Sequence, residues 1–175
     1  MVDLLSLNPP RFFAALLPVA SAVLLTVMVN IPLSLAYGLF PAPMLALAAI
    51  YFWALVRPDL MPPGAVLIIG LLEDLLSGGP PGLWASGFVA AYALADRQRE
   101  ILAGLSGAAA LIGFAAATLL AAMMAYVLTW VVYHQWPALA PLLLACVITV
   151  ALYPLIALPL AWTHRRVVGA MRGEV

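Results

Sequence analysis

An all-α fold is expected for this chain: a polytopic membrane helical bundle with six transmembrane helices and almost no soluble mass. Three observations point there. Apolar residues make up 67% of the 175 positions and charged residues 8%, against roughly 25% charged in a soluble domain. A surface of that composition would be greasy in water, so lipid is the expected solvent for most of it. The apolar residues also fall into six runs separated by Pro, Gly or charge, and the arginines gather at alternate breaks. Six spans of about 20 residues use most of the length, so one integral membrane domain is expected over 1–175.

The first run is Phe12 to Val29, 18 residues with one Pro. A cleaved signal peptide would be followed by a polar mature chain. Further apolar runs follow instead, so an uncleaved first span is expected over 12–29. Residues 30–43 hold Asn30, Pro32, Tyr37, Gly38, Pro41 and Pro43 without any charge, which suggests a segment at the membrane surface or a re-entrant turn. The second span, 44–56, ends at Arg57-Pro58-Asp59. Thirteen helical residues rise only ~20 Å, less than a ~30 Å hydrocarbon core. Either its helix begins earlier or the protein shields this region.

Pro62-Pro63-Gly64 opens the third span, 65–76, and Ser77 to Gly82 (Ser-Gly-Gly-Pro-Pro-Gly) is the strongest turn signal in the chain. The fourth span, 83–95, runs into the polar cluster Asp96 to Glu100. The fifth run, 101–133, would reach ~50 Å as one straight helix, so it should tilt, break or begin as a turn near Gly104 and Gly107. Within it Ala109, Gly113, Ala117, Ala121 and Ala125 sit four apart, a small-residue stripe that lets helices approach closely. After His134 to Pro137 the last span, 139–162, contains Pro154 and Pro159, each of which removes a backbone hydrogen bond and favours a kink.

All seven basic residues are arginine. Arg11 precedes the first span, Arg57 follows the second, Arg97 and Arg99 the fourth, and Arg165, Arg166 and Arg172 the sixth. The other breaks contain no arginine. Basic residues mark cytoplasmic loops, so both termini are expected inside, with Arg57, Arg97, Arg99, Arg165 and Arg166 setting the topology. Tyr37, Trp84, Trp130, Tyr133, Trp136 and Trp162 near span ends suit interfacial belts.

Several function classes find no residues. No basic stripe exists to neutralise nucleic-acid phosphates. The lone Cys146 precludes an internal disulfide, and His134 and His164 stand at opposite ends of spans, so no metal site or cofactor is expected. There is no HExxH and no phosphate-binding loop, because the prolines after Gly78-Gly79 cannot donate the N–H groups a phosphate cradle uses. An enzyme is therefore not expected.

Glu73 and Asp74 are the acidic pair that topology leaves unexplained. They lie near the outer end of the third span, where a carboxylate is a functional candidate by default. Adjacent helical positions point about 100° apart, so the two share a site only if the helix unwinds. Otherwise one faces the bundle or a partner and the other the headgroup region. Three roles stay open: a carboxylate bonded to backbone around the 77–82 turn, a partner contact, and proton or ligand chemistry.

Residues 41–84 carry a pattern. Pro43-Met44 opens a short span ending in Ile50-Tyr51-Phe52-Trp53, a Pro-containing polar turn follows, and then come Gly70, Asp74 and Gly78 at spacing four, with Pro81-Gly82-Leu83 beyond. This resembles the rod shape-determining MreD family of bacteria, in which a Gly-x-x-x-Asp-x-x-x-Gly stretch ends the third span. Tyr153-Pro154 and the basic tail are similar to that family as well, whereas Glu73 departs from it. The resemblance implies a non-enzymatic, multi-pass protein of the bacterial cytoplasmic (inner) membrane. It would act with the bitopic MreC, and through it with MreB, the glycosyltransferase RodA and a class B penicillin-binding protein. It implies a fold similar to the substrate-binding subunits of energy-coupling-factor transporters, and Gly70, Asp74, Gly78, Pro81 and Gly82 as a partner or structural motif. The rival reading is a small-molecule-binding subunit of a transporter. It needs an outward polar pocket, for which the sequence offers Glu73, Asp74 and loop carbonyls.

Overall fold

The computed structural model describes residues 9–30, 42–102 and 107–168. Among them are six α-helices and no strand: α1 (Pro9–Asn30), α2 (Leu45–Val56), α3 (Pro63–Ser77), α4 (Leu83–Leu102), α5 (Gly107–Tyr133) and α6 (Leu139–Thr163). A 3-10 turn (Pro58–Leu60) precedes α3, and a π turn (His164–Val168) continues α6. The fold is all-α, with one helix for each apolar run.

Helix α2 is the axis of the bundle. It touches α1, α4, α5 and α6, while α1, α3, α4, α5 and α6 succeed one another around it. Nine of its 12 residues are buried, so the second of the two expectations for this short segment holds: the protein shields it. Its N-terminus is tied to α6, because the Met44 N–H donates to Thr149 Oγ1 at 2.9 Å, and Thr149 in turn donates to Ala145 O. Its other end is tied to α1, where Trp53 Nε1 donates to Ser21 Oγ at 2.9 Å. Tyr51 packs against both Phe114 of α5 and Tyr153 of α6, with ring centroids 5.3 and 5.9 Å away, and those two rings stack on each other at 4.3 Å. The aromatic run in the sequence is thus the centre of the core.

The small-residue stripe is a helix contact. Gly113, Ala117, Ala121 and Ala125 are buried, and Gly87 of α4 lies so close that a Cβ there would meet Ala121 O at 3.0 Å. Ala109, the first residue of the stripe, is only partly buried.

One boundary differs from the sequence reading. Helix α4 does not end before the polar cluster but continues through Asp96–Glu100 to Leu102, so Arg97 and Arg99 lie on a helix and not in a loop. Exposed charged residues on a last turn satisfy themselves in water, as the Arg99–Asp96 pair at 3.7 Å illustrates. Helix α5 begins at Gly107, one of the two glycines near which the fifth run was expected to start. Helix α6 passes through Pro154 and Pro159 as one helix. The expected surface segment 30–43 lies, between 31 and 41, outside the described residues, as do Tyr37, Gly104 and Arg172.

The helices alternate in direction. The ends of α1 and α3 meet the starts of α2, α4 and α6 around one cavity. At the opposite end, α1 meets the 3-10 turn and the π turn, and Trp53 and His164 stand 6.1 Å apart. Arg57, Arg97, Arg99, Arg165 and Arg166 all belong to this second end. Asp59 anchors Arg57 at 2.8 Å, and that hydrogen bond raises the guanidinium pKa. Arg166 lies 4.9 Å over the Trp162 ring. The segments Gly107–Tyr133 and Leu139–Arg166 are each long and apolar enough to cross a membrane.

Candidate functional site

The Gly70, Asp74, Gly78 motif is a rivet between α3 and α4. Spacing of four keeps its residues on one face of α3, and that face is turned to α4. At Gly70 the helices nearly touch: a Cβ would lie 2.9 Å from Ala85 N and closer still to Ala85 Cα. Only glycine fits that crossing. Gly78 ends α3 with φ 69°, a left-handed cap that glycine adopts without strain. The Gly78 and Gly79 N–H groups both donate to Asp74 O, so the backbone of Asp74 closes α3.

Its side chain opens α4. Asp74 is 1% exposed. Oδ1 accepts from Trp84 N at 2.7 Å, and Oδ2 accepts from Gly82 N at 2.8 Å and Ala85 N at 3.3 Å. Leu83 N donates to Pro80 O, and Ser86 N donates to Gly82 O. Every N–H in the first turn of α4 therefore has an acceptor, where an uncapped helix leaves several orphaned. The carboxylate also faces the positive end of the α4 dipole. Of the three roles open to this acid, backbone bonding around the 77–82 turn is the one the geometry shows. Pro81 and Gly82 shape the same turn, and Gly82 takes φ 99°. With its side chain enclosed, Asp74 has no surface to offer a partner.

Glu73 has a different environment because α3 stays helical through both acids. Rotated from Asp74, it faces α1, where Asn30 Nδ2 donates to Glu73 Oε1 at 3.0 Å. The same amide nitrogen donates to Thr26 O at 2.9 Å. Both residues line a cavity of about 320 Å³ at the end of the bundle away from the arginines. Pro43 and Met44, Trp84 and Phe88, and Pro141 and Leu142 form its apolar walls. Ser77 adds a hydroxyl, whose hydrogen goes to Asp74 O at 3.3 Å. In the sequence, Asn30 belongs to the expected surface or re-entrant segment and Ser77 to the turn signal 77–82. An uncharged polar side chain closing an otherwise apolar span was the available signal for Asn30.

The sequence-derived residues thus divide into three groups. Gly70, Asp74, Gly78, Pro81 and Gly82 converge on one turn, Glu73 stands beside them in the cavity, and the arginines lie at the far end. Among the described residues no group of three His, Cys, Asp or Glu could hold a metal ion. A separate apolar groove runs along α5 and α6. It comprises cavities of about 510 and 490 Å³ that share Leu111 and Pro154. No family model, curated protein or solved structure matches the chain.

Proposed function

We propose that this chain is a non-enzymatic scaffold of the MreD kind in the bacterial inner membrane. It would cross the bilayer six times with both termini in the cytoplasm. Its role would be to bind the transmembrane helix of MreC, and so to help organise MreB, RodA and a class B penicillin-binding protein for peptidoglycan synthesis and cell shape.

Lipid as solvent is supported by the outer faces of the helices. Only 39% and 22% of the most apolar windows of the two long segments are buried, whereas a soluble core helix would be mostly covered. Leu75, Ile112 and Leu158 are 77%, 72% and 69% exposed. Trp130 and Trp136 stack 5.0 Å apart at one end of the bundle, and Trp162 with Arg166 occupies the other. Two aromatic ends with arginine at only one of them suit a cytoplasmic face there. The alternation of helix direction supports six crossings.

The observation that carries the scaffold reading is the α5–α6 groove. Ala115 and Ala151 line one half, and Ala108, Ala157 and Ala161 the other. Small side chains at a lipid-facing groove let another helix approach to backbone distance. The test is co-expression with MreC and purification in mild detergent. Co-elution is expected, and Ala151→Trp, which fills the groove from an exposed position, should abolish it without lowering the melting temperature. The cavity beside Glu73 favours the second reading, a small-molecule-binding transporter subunit. Failure of the wild-type proteins to co-elute, together with tight retention of a vitamin-like molecule, would select it.

A further inference from the structure

We propose that the cavity beside Glu73 is a binding site for an organic ammonium group. The proposal concerns the chain alone and holds or fails independently of any partner helix. Its size, about 320 Å³, falls at the lower end of small-molecule sites.

The hydrogen-bond inventory sets the ligand class. The amide of Asn30 already donates to Thr26 O and Glu73 Oε1, which leaves its Oδ1 as an acceptor. The Ser77 hydroxyl donates to Asp74 O, which leaves its lone pairs. Glu73 Oε1 is held by Asn30, and Oε2 has no hydrogen bond among the described residues. Beside the Trp84 indole N–H, which is a donor, the side chains of Asn30, Glu73 and Ser77 present acceptors to the cavity, and one of them is an anion. Among the described residues no Lys, Arg or His lines the cavity, so none of them neutralises Glu73. A ligand that completes this set brings several N–H donors and a positive charge. An ammonium group has three donors and that charge.

The walls agree with the polar end. Trp84 and Phe88, their rings 6.2 Å apart, offer aromatic faces to a cation, and Pro43, Met44 and Leu142 take an alkyl chain. A carboxylate in such surroundings strengthens its interaction with a bound cation, because little water screens it. The ammonium group could reach the site as a free amine or as the headgroup of an amine-bearing phospholipid, since the cavity lies at the end of the bundle where α3 and α4 meet.

The test uses the full chain in nanodiscs of phosphatidylglycerol, titrated with n-hexylammonium and, as a neutral match, n-hexanol. A parallel sample in mixed phosphatidylethanolamine and phosphatidylglycerol is examined by native mass spectrometry for retained lipid. The expected result is n-hexylammonium binding roughly tenfold or more tighter than n-hexanol, or selective retention of phosphatidylethanolamine. The first outcome identifies a free amine as the source and the second a lipid headgroup. Glu73→Gln, which keeps the shape and the Asn30 contact, should remove either preference. Trp84→Leu, which keeps the backbone N–H on Asp74, should weaken binding roughly two- to fivefold. Equal binding of the charged and neutral probes with no lipid preference would overturn the proposal in wild-type protein, whatever the variants do. A preference that survives in folded Glu73→Gln would overturn it equally.

Discussion

Replacing Asp74 by alanine should destabilise the protein more than any other single change to an acidic residue. The substitution leaves the N–H groups of Gly82, Trp84 and Ala85 without their acceptor. Bonds to a charged group contribute roughly 1.5 kcal/mol or more each. Water can reach the Gly82 side of the turn and recover part of that. Ala85 is 1% exposed, so its N–H stays orphaned in apolar surroundings. A loss of about 3–4 kcal/mol follows, and at roughly 2–4 °C per kcal/mol for a chain of this length the melting temperature falls by about 6–16 °C. Asp74→Asn keeps one acceptor oxygen but turns an amide toward N–H donors, so about half that loss is expected. The assay is built into the chain. Cys146 is the sole cysteine and is 5% exposed, so a thiol-reactive fluorophore reports unfolding in detergent. Glu73→Gln is the control, because it sits one residue away and should shift the midpoint by less than about 1 kcal/mol. An Asp74→Ala protein that melts with wild type would refute the capping argument. So would equal losses at Glu73 and Asp74.

Three further expectations are open to the same preparation. Gly70→Ala places a methyl against the backbone of Ala85, and an overpacked crossing should lose about 2–3 kcal/mol in the cysteine-labelling melt. The Tyr51 hydroxyl is buried without a hydrogen-bond partner among the described residues, so Tyr51→Phe should leave stability unchanged or raise it by about 1 kcal/mol, whereas a clear drop in melting temperature would mean that the hydroxyl is bonded. Reporter fusions at Gly79 and at Arg97 should report opposite sides of the membrane, and equal signals would overturn the six-span reading.

Much of the architecture was legible because it depends on composition and period. Each apolar run became a helix, and the arginines of the described residues fell at one end because helices joined by short turns must alternate. The four-residue stripe from Gly113 to Ala125 was legible for the same reason, since spacing alone fixes a helix face. Three features were not. Whether α2 was short and shielded, or longer and lipid-exposed, turned on what surrounds it, and that is a property of the whole bundle. The passage of α4 through Asp96–Glu100 was missed because charge signals the end of the apolar environment, not of the helix, and arginine and glutamate are good helix formers. Asn30 could not be paired with Glu73 from sequence, because 43 positions separate them.

The two adjacent acids show how one helix can separate structure from chemistry. Gly70, Asp74 and Gly78 share a face of α3 because four residues make just over one turn. That face is fixed by the close approach to Ala85, so an acid at the central position meets the start of α4 and is consumed by its N–H groups. Glu73 is off this spacing. It is carried round toward α1, where the Asn30 amide holds one oxygen and the other has no hydrogen bond among the described residues. The Gly70, Asp74, Gly78 spacing therefore accounts for the acid that builds the α3–α4 turn. Glu73, outside that spacing, is the acid that faces the cavity. A chain with Asp74 but an apolar residue at 73 would keep this turn and lose the cavity's charge. Ammonium selectivity should accordingly follow residue 73, and stability residue 74.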